Sequence, residues 1–161
     1  DPDRVPKKPE GGPIIRKLQW WMRIVGIFYL LLFISSAIVK LPFRTMFDGV
    51  LAQAAAGDLT AKMLIDTWVM FGLEMGVIGA ALIIASRIPD QARVLVWTVL
   101  GLELVRGIID DIYMIARGYE ITIYIGWIVI HTIIIITGII ALRAHRVETE
   151  PAGQGDIGVA E

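Results

Sequence analysis

The sequence predicts an all-α integral membrane protein, a four-helix bundle, from three observations. The 161 residues are 56% hydrophobic and have a mean hydropathy of +0.68. Charged residues make up only 19% of the chain, whereas soluble domains typically have ~25%. The apolar residues gather into runs of ~20–24 residues, and a helix of that length spans the ~30 Å hydrocarbon core.

The predicted spans occupy residues 20–40, 64–86, 93–116 and 121–143. Each must be a helix, because backbone groups in lipid find hydrogen-bond partners only within their own segment. The first run is not expected to be a cleaved signal peptide, since the small-residue stretch Ala52-Gln53-Ala54 lies too far beyond it. The chain begins with Asp1 rather than Met, which raises the expectation that the natural N-terminus is missing.

The long connection between the first two spans is predicted to contain one short amphipathic helix on the outer membrane surface. Its apolar residues recur at helical spacing, and Gly57 ends the pattern. These residues are Phe43, Phe47, Val50, Leu51 and Ala54. The alternative is an ordinary connecting helix packed on the bundle.

Orientation follows from the distribution of Lys and Arg, which favours the cytoplasmic side. Ten of these residues flank the spans on the side of the two termini, and four lie on the other side. Both termini are therefore predicted to be cytoplasmic, in a cell inner membrane. The basic tail 1–17 and the acidic tail 147–161 flank the bundle 18–146, and their composition predicts disorder.

Ionisable residues inside the spans are the most informative feature, because such residues are costly in lipid and usually face the bundle interior. Glu74, Glu103 and His131 each lie about ten residues into a span, ~15 Å deep, which predicts that they meet near the bilayer midplane. The predicted polar core consists of Glu74, Glu103, Arg106, Asp110, Asp111, Tyr124 and His131.

The third span concentrates these charges on one face at α-helical spacing. Glu103, Arg106, Gly107 and Asp110 share that face, so Arg106 is placed to pair with both acids. If every carboxyl in the core were ionised, the core would carry −3 with Arg106 counted and −2 with a protonated His131 counted as well. Such an excess requires protonated carboxyls, a bound cation or a positively charged partner.

Helix packing is predicted from small residues spaced four apart in the second span. Gly72, Gly76 and Ala80 form a surface on which another helix can approach closely.

The function predicted first is a non-catalytic subunit or accessory protein of a larger membrane complex. Two alternatives remain open: proton or ion movement through the polar core, and binding of a quinone or lipid in a membrane oxidoreductase. A metal held by Glu74, Glu103 and His131 is a further alternative. The expected partners are membrane lipids, other membrane subunits or further copies of the chain. No nucleic-acid partner is expected, because the net charge is −1 and not strongly positive.

Enzymatic chemistry has little support in the sequence. The chain has no cysteine, which excludes disulfides, thiolate metal sites and thiol catalysis. It also has no phosphate loop or hydrolase motif.

The layout of four spans, cytoplasmic termini and a polar third helix, Gly101-Leu-Glu-Leu-Val-Arg-Gly-Ile-Ile-Asp110, resembles the DoxX-like group of small bacterial membrane proteins. That resemblance covers the four spans. It implies an association with quinone-linked oxidoreductases, while the missing cysteines leave out the activity of related thiol-redox bundles.

Overall fold

The computed structural model describes residues 15–149, with side chains for residues 17–145. Within this range the chain contains helices and no strand, which confirms the all-α prediction. Most of the two predicted tails lies outside the described residues.

The first long helix changes its pitch before it ends. Helix α1, Ile15–Phe33, continues directly into a π-helical segment, π1, Ile34–Ile38. There the amide of Val39 donates to the carbonyl of Ile34, five residues earlier, instead of the usual four. The stretch Lys17–Ile38 is long and apolar enough to cross a membrane.

The connection after π1 contains two short helices rather than the single one predicted. Helix α2 is Leu41–Thr45 and helix α3 is Val50–Ala55. Gly49 lies between them with a φ of 83°, a left-handed conformation that breaks a helix and that glycine adopts without strain. The ring of Phe43 is buried and packs edge-on against Trp68, with centroids 6.1 Å apart.

Two further helices are long and apolar enough to span a membrane. Helix α4 is Leu59–Ala85, and its first turn is capped by the Asp58 carboxylate, which accepts from the Ala61 amide at 2.7 Å. The last helix, α7, is Ile121–Thr149, with its apolar stretch at Ile121–His145.

The remaining helix runs without a break over residues 93–116 in three parts. Helix α5, Arg93–Leu102, leads into a second π-helical segment, π2, Glu103–Ile109, which leads into helix α6, Asp110–Ala116. The amide of Asp110 donates to the carbonyl of Val105, five residues earlier, as the wider π turn requires. Its charged residues make helix 93–116 less apolar than the other three long helices.

The described residues divide into two units, one made of residues 15–21 and 96–149, the other of Met22–Leu95. In the second unit α1 and α4 approach each other at two glycines. A Cβ atom added to Gly26 would lie 2.8 Å from the carbonyl oxygen of Gly79, and one added to Gly79 would lie 2.7 Å from that of Gly26. Only glycine fits at this crossing.

The small residues singled out in the second span lie on the same side of α4. A Cβ added to Gly72 would meet Ala37, and one added to Gly76 would meet the ring of Phe33. Ala80 is half-buried, and the closest backbone approach is made one residue before it, at Gly79.

In the first unit, the start of α1 is attached to α7 through an indole. The Nε1–H of Trp21 is directed at the carbonyl of Ile134 at 3.3 Å and the hydroxyl of Thr137 at 3.2 Å. A Cβ added to Gly138 would lie 2.8 Å from the Trp21 ring, so the missing side chain makes room for the indole.

Candidate functional site

The candidate site lies between helix 93–116 and α7, which form an antiparallel hairpin in the first unit. The turn 117–120 joins them, and Gly118 adopts a φ of 89° there. Hydrogen bonds from the side chain and amide of Thr122 hold the pKa of the exposed Glu120 carboxyl below its usual range. Both π2 and α6 contact α7, so residues of π2 face the middle of α7.

His131 is held between two carboxylates from the opposite helix. Its Nδ1 lies 2.5 Å from Oε2 of Glu103, a hydrogen bond, and its Nε2 lies 3.8 Å from Oδ2 of Asp111. Glu103 is 3% exposed and Asp111 is 7% exposed. These three side chains are called the acid–histidine cluster below.

A glycine provides the space for the imidazole ring. Any Cβ at Gly107 would overlap the ring of His131, so the ring lies directly against the backbone of π2. On α7 itself, the indole of Trp127 lies one turn before His131, with ring centroids 6.0 Å apart and planes tilted by 30°. The ring is thus enclosed by backbone on one side and bordered by an aromatic residue of its own helix.

The π2 segment decides which residues face His131. In an α-helix two residues eight apart differ by about 80° in direction. The wider turn of π2 reduces that difference, so that Glu103, Gly107 and Asp111 are all buried toward α7. The predicted stripe of Glu103, Arg106 and Asp110 is therefore revised, because it assumed uniform α-helical spacing.

The other predicted core residues lie at different places. Arg106 and Asp110 are exposed on helix 93–116, and Tyr124 is half-buried on α7, edge-on to Tyr119 at 6.1 Å between ring centroids. Glu74 is exposed on α4, in the second unit. Its predicted meeting with Glu103 and His131 stays a prediction.

The arrangement is suited to holding a proton. A neutral imidazole has one N–H donor, whereas an imidazolium has two. The carboxylates of Glu103 and Asp111 lie on opposite nitrogens of His131, so only the protonated ring can donate to both. Oδ2 of Asp111 is buried and has no hydrogen-bond partner, which costs free energy unless a proton or a small movement satisfies it.

A metal is a poorer match to these residues. Among the described residues, no group of three or more His, Asp and Glu side chains is arranged to hold a metal ion. The described residues therefore give no support to the alternative of a metal bound by Glu74, Glu103 and His131.

Two contributors to the site were not identified as site residues from the sequence. Gly107 was predicted on the charged face of the third span, and Trp127 is not among the predicted core residues, so neither was expected to shape the surroundings of His131. The signal for Gly107 was a glycine between charged residues in a membrane span, a position where no turn requires it. Trp127 gave no signal beyond lying one turn from His131.

The similarity to known proteins extends over most of the chain. A family model described as BphX-like matches residues 15–147. Two relatives, described as uncharacterized BphX-like proteins of Burkholderia cepacia and Paraburkholderia xenovorans (strain LB400), are each 33% identical over 128 residues. The match covers 74% of this chain and 86% of each relative. No solved structure matches the chain.

These matches correct the resemblance to the DoxX-like group. That resemblance depended on span number, orientation and a polar third helix, which unrelated small membrane proteins also have, and it included no diagnostic motif. The matched family is described as BphX-like, so the link to quinone-linked oxidoreductases that the resemblance implied is withdrawn.

Proposed function

This chain belongs to the BphX-like family, and we propose that it is an integral protein of a bacterial inner membrane that crosses the bilayer four times. Three of the crossings are supported by helices long and apolar enough to span. The fourth is helix 93–116, which at ~36 Å is long enough and buries Glu103 and Asp111 against α7.

The distribution of positive charge supports a cytoplasmic position for both termini. Of the 15 Lys and Arg residues, ten flank the spans on the side of the termini and four lie on the opposite side, while Arg106 lies within a span. Positively charged residues are retained on the cytoplasmic side during insertion.

Within this protein the acid–histidine cluster is a proton-binding site, through which a non-enzymatic membrane subunit takes up and passes on protons. Ionisable groups in membrane spans commonly form such relays. The protein's partners are membrane lipids and other membrane subunits.

One observation carries this proposal. Asp111 Oδ2 is buried without a hydrogen-bond partner, 3.8 Å from Nε2 of an imidazole whose Nδ1 is already engaged by Glu103. An ion-pair network that served only to join two helices would be expected to satisfy every buried acceptor. A site that gains and loses a proton requires an acceptor of this kind, such as Asp111 Oδ2 beside Nε2 of His131.

The test is a proton-flux measurement on the full chain reconstituted in liposomes that contain a pH-sensitive dye. A potassium gradient with valinomycin drives protons inward. We expect the wild type to acidify the lumen, and His131→Gln and Asp111→Asn to lower that rate on the order of tenfold or more. Glu120→Gln removes an exposed acid in the turn 117–120 and should match the wild type.

Thermal unfolding of the same samples separates this function from a structural role. If the cluster only joins the two helices, the wild type will show no flux above empty liposomes, and Asp111→Asn will change only the Tm. That pair of results would overturn the proposal.

A further inference from the structure

The acid–histidine cluster contains only one of two aspartates that are adjacent in the sequence. Asp111 is 7% exposed and faces His131, while the preceding residue, Asp110, is exposed on the same helix. Both follow π2 directly, so the position of the wide turn determines which of them lies in line with Glu103.

The alternative position of the wide turn can be worked out from helix geometry. If the turn moved toward the C-terminus, past Asp111, residues 103–111 would take α-helical spacing. Asp110 would then lie within about 20° of the direction of Glu103, and Asp111 would point about 80° away. This is the stripe that uniform α-helical spacing predicts, so the chain carries an acid for either position of the turn.

We propose that Asp110 is the second proton acceptor of the site, and that movement of the π2 turn exchanges Asp111 for Asp110 beside His131. The proposal rests on the proposed function, which it extends to a route by which the proton leaves. π-helical turns within α-helices are rare and frequently mark functional sites.

The step transfers one proton. The N–H bond at Nε2 of the His131 imidazolium breaks and an O–H bond forms on the Asp110 carboxylate. The ring becomes neutral, and Asp110 becomes a carboxylic acid. When the turn returns to its present position, the protonated Asp110 returns to the exposed side of the helix, and Asp111 again faces His131.

The surroundings of His131 permit this movement. On helix 93–116, Glu103 and Asp111 face the ring, whereas Arg106 and Asp110 are exposed. On α7, Tyr124 lies two turns before His131. At Gly107 the helix can slide past the imidazole without a side chain in the way, because the ring lies directly against the backbone there.

Deleting Ile109 tests the movement. Ile109 is the last residue of π2, and its side chain is exposed. Its removal leaves seven residue steps between Glu103 and Asp111, so an ordinary α-helix aligns the two acids to within about 20° and no wide turn remains to move. We expect this variant to keep the nitrogen-15 chemical shifts of His131 and to lose proton flux on the order of tenfold.

The second variant is Asp110→Asn, which tests the acceptor without changing the helix. It should leave the His131 shifts unchanged and lower flux by a similar factor. Asp48→Asn, an exposed acid outside the long helices, should match the wild type.

The outcomes distinguish the two proposals. Wild-type flux that persists in Asp110→Asn overturns the role of Asp110, whether or not the deletion variant folds, and leaves the proposed function in place. Absence of flux in the wild type overturns both. Loss of flux in Asp110→Asn, with unchanged His131 shifts, supports the second acceptor.

Discussion

The imidazole of His131 fits against helix 93–116 because residue 107 is a glycine and has no side-chain carbon. A Cβ at Gly107 would overlap its ring, and the ring is what brings Glu103 and Asp111 into one cluster. Gly107 therefore acts as a positioning residue for a histidine that is distant in sequence, although it contributes no polar side-chain atom itself.

Gly107→Ala should displace His131 and destabilise the protein. Overpacking a tight contact costs about 1–3 kcal/mol, which corresponds to about 2–12 °C in Tm for a chain of this size. The measurement is thermal unfolding in detergent by circular dichroism, together with the nitrogen-15 shifts of the His131 ring.

Gly101→Ala is the matched control, because it lies on the same helix and its added Cβ would meet nothing within 4 Å. Relief of glycine's conformational entropy should make this variant about 0.5–1 kcal/mol more stable. Equal Tm values for the two variants would show that Gly107 has no steric role.

Sequence reasoning at the scale of single residues predicted a polar core but not which of its members lie beside His131. It identified Glu103, Asp111 and His131 from their depth and type, because ionisable side chains in a membrane span are conspicuous. It grouped Glu103 with Arg106 and Asp110, since 3.6 residues per turn was assumed throughout. The change to π spacing occurs where helix 93–116 contacts α7, and no local sequence pattern indicates it.

At the scale of helices, π1 and the break between the two short helices each lie beside a glycine. Each departs from uniform α-helix where a side chain or a glycine alters the local fit: π1 places the buried Ser36 against Gly72, and Gly49 separates α2 from α3. The long apolar runs were predictable because length and hydropathy determine them. The interruptions were not, because they depend on contacts between segments.

The crossing of α1 and α4 gives a prediction at this scale. Gly26→Ala would place a Cβ 2.8 Å from the carbonyl oxygen of Gly79, a contact with backbone that cannot move aside as a flexible side chain could. We expect the helices to separate and the free energy of unfolding to fall by about 1–3 kcal/mol, measured as a lower Tm in detergent.

Gly126→Ala provides the comparison for that loss, since its Cβ would meet nothing within 4 Å although it also lies in a long apolar helix. It should unfold at the wild-type temperature or slightly above. A Tm for Gly26→Ala as high as that of Gly126→Ala would mean that the two helices do not depend on this close approach.

For the molecule as a whole, the sequence predicts an orientation in the membrane. Contacts within the chain do not report that orientation. The chain has no cysteine, so a single introduced cysteine reports its own side of the membrane. Gln53 and Tyr119 are exposed in connections assigned to the outer side, and Gln91 is exposed in the connection between α4 and α5, assigned to the cytoplasm.

A membrane-impermeant maleimide applied to intact spheroplasts should label Gln53→Cys and Tyr119→Cys and leave Gln91→Cys unlabelled. After lysis, all three variants should react, which controls for accessibility of each thiol. The physical reason is the excess of Lys and Arg on the side of Gln91, which opposes transfer across the membrane. Labelling of Gln91→Cys before lysis, with Gln53→Cys protected, would show that the orientation is the reverse of the predicted one.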